Sequence, residues 1–239
     1  MLTAGDKHYW RGKGRWPGAV VFDLDGTVVD SVGDITSSIN SLLVARGLSP
    51  FQEGSIRKFI GDGLDVLVER AFHARGIVFG VEELRAIVES YEVIYGARLT
   101  ETTRAYAGVV SVLSELKAYG AAIGICTNKV EDKAVGVVEG LGLDRYVDVI
   151  VGARSGRPAK PSPIPLFDTL GYLGVNTEDA IMVGDSIVDV QCARAAGVAV
   201  IGVSFGYSKI PMRELCPDVT IDGYAEFGAA CATLSLNLP

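Results

Sequence analysis

Apolar residues along this chain fall into two alternating patterns. Short continuous runs at Ala19–Leu24, Ala121–Cys126, Val147–Val151, Ala180–Val183 and Val198–Val203 hold mostly β-branched or small side chains. Between them, Val109–Tyr119, Lys129–Glu139, Pro165–Leu173 and Ser186–Ala196 carry helical spacing. A strand that is apolar at every position must be covered on both faces, and strands alternating with helices join through right-handed crossovers. The predicted class is therefore α/β, with a doubly wound parallel sheet.

One interval breaks this rhythm. From about Ser31 to Arg104 the pattern is helical throughout, with amphipathic stretches at Val32–Arg46, Leu64–Arg75 and Glu82–Arg98. So long a block between two strands exceeds an ordinary crossover. It reads as an inserted all-helical subdomain with its own small core. The predicted organisation is a leader over 1–16, a core domain over 17–30 and 105–239, and a helical unit over 31–104.

Composition narrows the function. The chain has 239 residues, 49 % of them hydrophobic, with a net charge of −7. An acidic balance argues against nucleic acid as the main partner, because phosphate-backbone affinity needs a basic face. No apolar run has the length of a membrane span. The four cysteines, Cys126, Cys192, Cys216 and Cys231, show no metal-ligand spacing and read as reduced core thiols of a cytoplasmic protein. Residues 1–16 are locally basic, through Lys7, Arg11, Lys13 and Arg15 against Asp6. They lack an apolar core and read as a flexible extension, with a polyanion-binding arm as the alternative, rather than as a secretory signal. His8 and His73 lie in no motif, which removes histidine-based catalysis and zinc, and Trp10 and Trp16 belong to the leader.

The candidate chemistry sits at predicted strand ends. The first strand runs into Phe22-Asp23-Leu24-Asp25-Gly26-Thr27. Two carboxylates there lie where open parallel sheets bind ligands, and they suit a hard divalent cation. An Asx-type turn explains the same residues without chemistry. Gly26 permits a sharp turn that brings backbone amides towards an anion. Thr127, after the second strand, is a phosphate donor or a helix N-cap. Lys160 lies in Pro158-Ala159-Lys160-Pro161 and is either a site cation or a solvated loop lysine. Asp185 ends the fourth strand, and Asp189 follows it as a site carboxylate or as half of a capping box with Ser186.

Together these residues resemble the haloacid dehalogenase superfamily, specifically its phosphoglycolate-phosphatase-like hydrolases with a helical cap. The resemblance rests on Asp23-Leu24-Asp25-Gly26-Thr27-Val28-Val29-Asp30-Ser31, Thr127-Asn128-Lys129, Lys160-Pro161-Ser162-Pro163, Gly184-Asp185-Ser186-Ile187-Val188-Asp189 and Ala193-Arg194-Ala195-Ala196-Gly197. It implies a Mg2+-dependent phosphatase acting on a small phosphorylated metabolite, with 2-phosphoglycolate the first expectation. Asp23 is then the nucleophile, forming an aspartyl-phosphate, and Asp25 the general acid and base. Asp23, the Asp25 backbone carbonyl and Asp185 hold the metal, with Asp189 behind them. Thr127, Asn128 and Lys160 bind the phosphoryl group, and the segment 31–104 is the cap. Gly61, in Gly61-Asp62-Gly63, is the candidate cap loop facing the site. Arg57 and Lys58 are either solvated or face a substrate carboxylate.

Alternatives remain at this stage. They are phosphatases of other sugar or nucleotide monophosphates, a β-phosphoglucomutase-like isomerase, a dehalogenase and a non-enzymatic binding protein. Asp25 argues against the dehalogenase. The presence of Asp23, Asp25, Lys160 and Asp185 together argues against a binding protein.

Overall fold

The computed structural model describes residues 17–235; the leader over 1–16, with His8, Trp10 and Trp16, lies outside the described residues. The chain enters β1 (Ala19–Phe22), then a two-residue strand β2 (Val29–Asp30). Four helices follow: α1 (Val32–Val44), α2 (Glu53–Ile56), α3 (Leu64–His73) and α4 (Val81–Gly96). The chain returns through β3 (Arg104–Ala105) and α5 (Val109–Ala118) to β4 (Ala122–Val130) and α6 (Glu131–Gly140). Then come β5 (Val149–Ala153), α7 (Ile164–Leu173), β6 (Ala180–Gly184), α8 (Ile187–Ala196), β7 (Ala199–Val203), β8 (Val219–Ile221) and α9 (Phe227–Ser235).

Six strands form one parallel sheet in the order β5-β4-β1-β6-β7-β8. Alternating side chains of β1 explain why it sits in the middle. Val20 and Phe22 pack with α5, α6 and α9 on one face, while Ala19 and Val21 pack with α7 and α8 on the other. All four are fully buried. This is the predicted doubly wound α/β fold, and it puts the carboxyl end of β1 between those of β4 and β6.

The segment between β2 and β3 is helical, as its periodicity predicts. Ile35, Ile39, Leu43, Val68, Phe72 and Tyr91 form a separate apolar cluster. Its two connections meet in an antiparallel ribbon, Val29 opposite Ala105 and Asp30 opposite Arg104. That ribbon, and β8, are absent from the sequence reading because two or three residues are too few to show a period. Their pairing comes from the tertiary fold. Lys129 also differs from expectation. It lies in β4, not in the following helix, because β4 runs on to Val130 with an irregularity in its pairing to β5 between Cys126 and Val130. Thr127, Asn128 and Lys129 occupy that irregular stretch, a common device for re-aiming side chains at a strand end.

A buried carboxylate joins the two ends of the helical segment. Asp34, 1 % exposed in the first turn of α1, accepts the amide of Thr102 at 2.9 Å and its hydroxyl at 2.6 Å on one oxygen. The other oxygen accepts the amide and hydroxyl of Thr103 at 2.9 and 2.6 Å. Burial alone raises its proton affinity, but these four donors overcome that and hold the carboxyl below its usual value. Asp34→Ala is therefore expected to cost about 3 kcal/mol by urea denaturation at pH 7. A depressed carboxylate contributes stability above its ordinary titration range, so the gap to wild type closes as pH falls below about 4.

Three of the four thiols are buried, as expected, and burial pushes Cys126 up to about 12 and Cys192 to about 11. Cys216 is the correction. It is exposed, because it ends a one-turn helix in the left-handed conformation at φ 51°. No helix among the described residues is long and apolar enough to cross a membrane.

Candidate active site

The strand ends converge on Asp23. It follows β1 directly, and its amide donates to the Val183 carbonyl of β6 at 2.8 Å. Asp185 extends β6, and Asp189 lies one turn into α8. One oxygen from each of these three buried carboxylates lies within 4.8 Å of the others. Such crowding has a cost. Burial, with the charges of Asp189 and Asp25, pushes the Asp23 carboxyl up to about 6 although Lys160 opposes the shift. Burial, with Asp189 and Asp23, raises the Asp185 carboxyl well above its ordinary value.

Lys160 answers part of that charge. Its ammonium, with a side chain 1 % exposed, donates to Asp189 at 2.6 Å, the Cys126 carbonyl at 2.7 Å and Asp23 at 2.8 Å. Burial works against its proton, but Asp189 and Asp23 win and raise its affinity well above the usual value. Lys160 is thus a buried site cation and not a solvated loop lysine. Asn128 fixes the loop that presents it. Its Oδ1 accepts the Lys160 amide at 2.9 Å, and its Nδ2 donates to the Lys160 carbonyl at 3.0 Å. The same Nδ2 donates to the Gly61 carbonyl at 3.1 Å, which brings the candidate cap loop onto the sheet.

Asp189 completes the capping box and also faces the cluster. Its Oδ2 accepts the amide and hydroxyl of Ser186, completing the capping box of α8, while its Oδ1 faces Lys160. Asp25 is held differently. Ser31 donates its hydroxyl to Oδ1 at 2.5 Å, and the Lys129 ammonium sits 3.0 Å from both oxygens. Thr127 is buried, and its hydroxyl oxygen accepts the Lys129 amide at 3.2 Å.

Gly26 makes the sharp turn expected of it, at φ +89°, and any Cβ there would strike the Asp185 carboxylate. Its own amide is not turned to an anion, however, because it donates to the Val29 carbonyl at 2.8 Å. Arg57 is partly exposed and has protein partners of its own. Its guanidinium lies over the Tyr207 ring and beside Asp30, while Lys58 is exposed.

Two participants escape a sequence reading. Tyr95 and Tyr207 reach this region through contacts remote in sequence, whereas Ser31 and Lys129 lie within the strand-end motifs without a role of their own there. Lys129 stands two residues after Thr127 in the strand-end motif, and that spacing is the one available signal. Tyr95, from α4, places its ring 4.5 Å from the Lys129 ammonium. The pocket walls are Asp23, Asp25, Thr127 and Lys160 on the sheet side, with Ile35, Leu67, Tyr91 and Tyr95 on the helical side.

Buried carboxylates gathered this closely need positive charge near them, and the oxygens they offer are hard donors of the kind a divalent cation takes. Asp23 and Asp185 therefore fit Mg2+, which prefers a few carboxylates and keeps positions for water and phosphate. Asp189 fits less directly, since Lys160 and Ser186 already engage its oxygens.

Comparison with known proteins agrees with this geometry. The chain is 38 % identical over 205 residues to the phosphoglycolate phosphatase of Agrobacterium fabrum, covering 86 % of this chain and 88 % of that one. It is 34 % identical over 220 residues to the phosphoglycolate phosphatase of Caulobacter vibrioides, covering 92 % and 93 %. The crystal structure of a predicted phosphoglycolate phosphatase from Haemophilus somnus superposes with a TM-score of 0.82 at 32 % identity, covering 88 % and 96 %. The haloacid dehalogenase-like hydrolase family matches residues 20–203. That span begins within β1, ends with β7 and takes in every side chain of the pocket, so the chain belongs to the haloacid dehalogenase-like hydrolases.

Proposed function

We propose that the protein is a Mg2+-dependent phosphomonoesterase of the cytoplasm whose preferred substrate is 2-phosphoglycolate. The observation that carries the reaction class is the placement of Asp23. It is a buried carboxylate at the centre of the sheet edge, held on one oxygen by Lys160 and flanked by Asp185. The curated relatives' activity supports the substrate.

Asp23 attacks phosphorus through its second oxygen, and the P–O bond to the leaving alcohol breaks as the aspartyl-phosphate forms. Asp25 gives its proton to the leaving oxygen and then takes one from the water that hydrolyses the acyl phosphate. Ser31 and Lys129 set the orientation of the Asp25 carboxyl for both transfers. Lys160 and Thr127 hold the phosphoryl oxygens, and Asn128 fixes the backbone on which Lys160 rides. Asp23, the Asp25 carbonyl and Asp185 would hold the metal, with Asp189 in support through Lys160. The chemistry that Mg2+ would supply there is neutralisation of the phosphate and the attacking carboxylate, so that like charges could approach. The segment 31–104 acts as the cap, with Ile35, Leu67, Tyr91 and Tyr95 excluding water from the reacting centre.

The test is phosphate release from a panel holding 2-phosphoglycolate, sugar phosphates and nucleoside monophosphates, with Mg2+ and with EDTA. We expect release with Mg2+, none with excess EDTA, recovery on adding Mg2+ back, and the highest kcat/KM for 2-phosphoglycolate. A sugar phosphate preferred about tenfold or more overturns the substrate. Absence of release from every ester overturns the reaction class.

A further inference from the structure

The loop after β7 has no role in the chemistry above, yet it touches Asp185 directly and reaches Asp25 through Ser31. The Tyr207 amide donates to Asp185, one of the acids assigned to the metal. Gly206 has no side chain because a Cβ there would strike Asp185 and the Gly26 carbonyl, so the loop backbone presses against the acid. The phenol of Tyr207, 5 % exposed as a residue, works on the opposite side. Its oxygen accepts the amides of Ser31 at 2.7 Å and Val32 at 3.1 Å, and its hydroxyl donates to Asp30 at 2.7 Å. The start of a helix leaves amides without partners, and Ser31 makes no side-chain cap of its own. The phenol supplies that cap and fixes Ser31, whose hydroxyl holds Asp25.

A residue from the helical segment completes the arrangement. The Arg57 guanidinium lies 4.8 Å from the Tyr207 ring centre, donates to the Gly206 carbonyl at 3.4 Å and stands 3.6 Å from Asp30. One side chain thus contacts the ring, the loop backbone and the acid that the phenol also binds.

We propose that Tyr207 is a positioning residue for Asp185 and Asp25, and that Arg57 holds Tyr207 in place from the helical segment. Neither touches substrate; each acts through the groups it orients. The inference rests on the metal and acid–base roles proposed for Asp185 and Asp25.

The test compares Tyr207→Phe, Arg57→Ala and Arg57→Lys with wild type in the full chain. Three quantities are read: Mg2+ affinity by calorimetry without substrate, kcat and KM at saturating Mg2+, and the melting temperature. Tyr207→Phe keeps the ring and the amide but loses the cap, so kcat is expected to fall about tenfold with KM within twofold. Arg57→Ala loosens the loop and is expected to weaken Mg2+ by about tenfold. Arg57→Lys keeps the charge beside Asp30 and recovers part of that loss. Arg57 is partly exposed, so its variants fold even where Tyr207→Phe does not. Unchanged Mg2+ affinity and kcat in the folded variants, with only a lower melting temperature, overturn the positioning role. Failure of wild type itself to bind Mg2+ or release phosphate overturns the underlying function as well.

Discussion

Asp23→Asn is expected to abolish phosphate release, lowering kcat by at least about 10,000-fold, while the protein stays folded. The amide oxygen of asparagine carries no full negative charge and cannot form the acyl phosphate. It can still accept the Lys160 ammonium, now at 2.8 Å from Asp23, so the local structure survives. Stability should rise in metal-free buffer. Burial and two neighbouring acids push the Asp23 carboxyl up to about 6, so its ionised form is disfavoured in the folded protein at pH 7. A raised acid makes the folded state lose stability as pH climbs from the ordinary carboxylate value towards about 6. The variant has no such group to ionise. Thermal melts in EDTA should therefore show its largest advantage at pH 7 and a smaller one at pH 5. Turnover within tenfold of wild type would remove Asp23 as the nucleophile.

Lys160→Met should damage stability and turnover together. The ammonium is the shared partner of Asp23 and Asp189, and both carboxylates are buried. Removing one member of a buried ion pair leaves charge uncompensated and typically costs about 3–5 kcal/mol. Loss of a preorganised cation at the phosphoryl group should lower kcat by a further factor of about 100 to 1,000. The two effects separate in a second variant. Adding Asp189→Asn to Lys160→Met removes one of the stranded charges, so urea denaturation should show partial recovery. Activity should not recover with it. If the double variant is no more stable than the single, charge is not what Lys160 contributes to the fold.

Much of this site was legible from the chain because its chemistry clusters at the ends of fully apolar runs. Asp23, Thr127, Lys160 and Asp185 each end a strand or follow one closely, and a parallel sheet brings such positions to one edge. What escaped has a common cause. Tyr207 finds Ser31 from 176 positions away and Asp185 from 22. Neither separation leaves a local pattern. Asp34 carries no local signal of its role, since its four donors come from Thr102 and Thr103 at the far end of the helical segment. Lys129 was assigned to a helix because a strand that runs on irregularly has no period to read.

The ribbon of β2 and β3 has a consequence for how such a molecule can diversify. Its strands bring the departing and returning chain side by side before the helices begin, and Asp34 ties the two again one turn further on. Whatever lies beyond that neck starts and ends at nearly the same point. Closing a longer loop from a fixed neck costs only a slowly growing entropy. The helices can therefore be lengthened, exchanged or regrafted from a relative without moving Asp23 or Lys160, provided that Arg57, which holds the Tyr207 loop against Asp185, is kept. Chimeras cut at the neck should keep the reaction and inherit the ester preference of the donor.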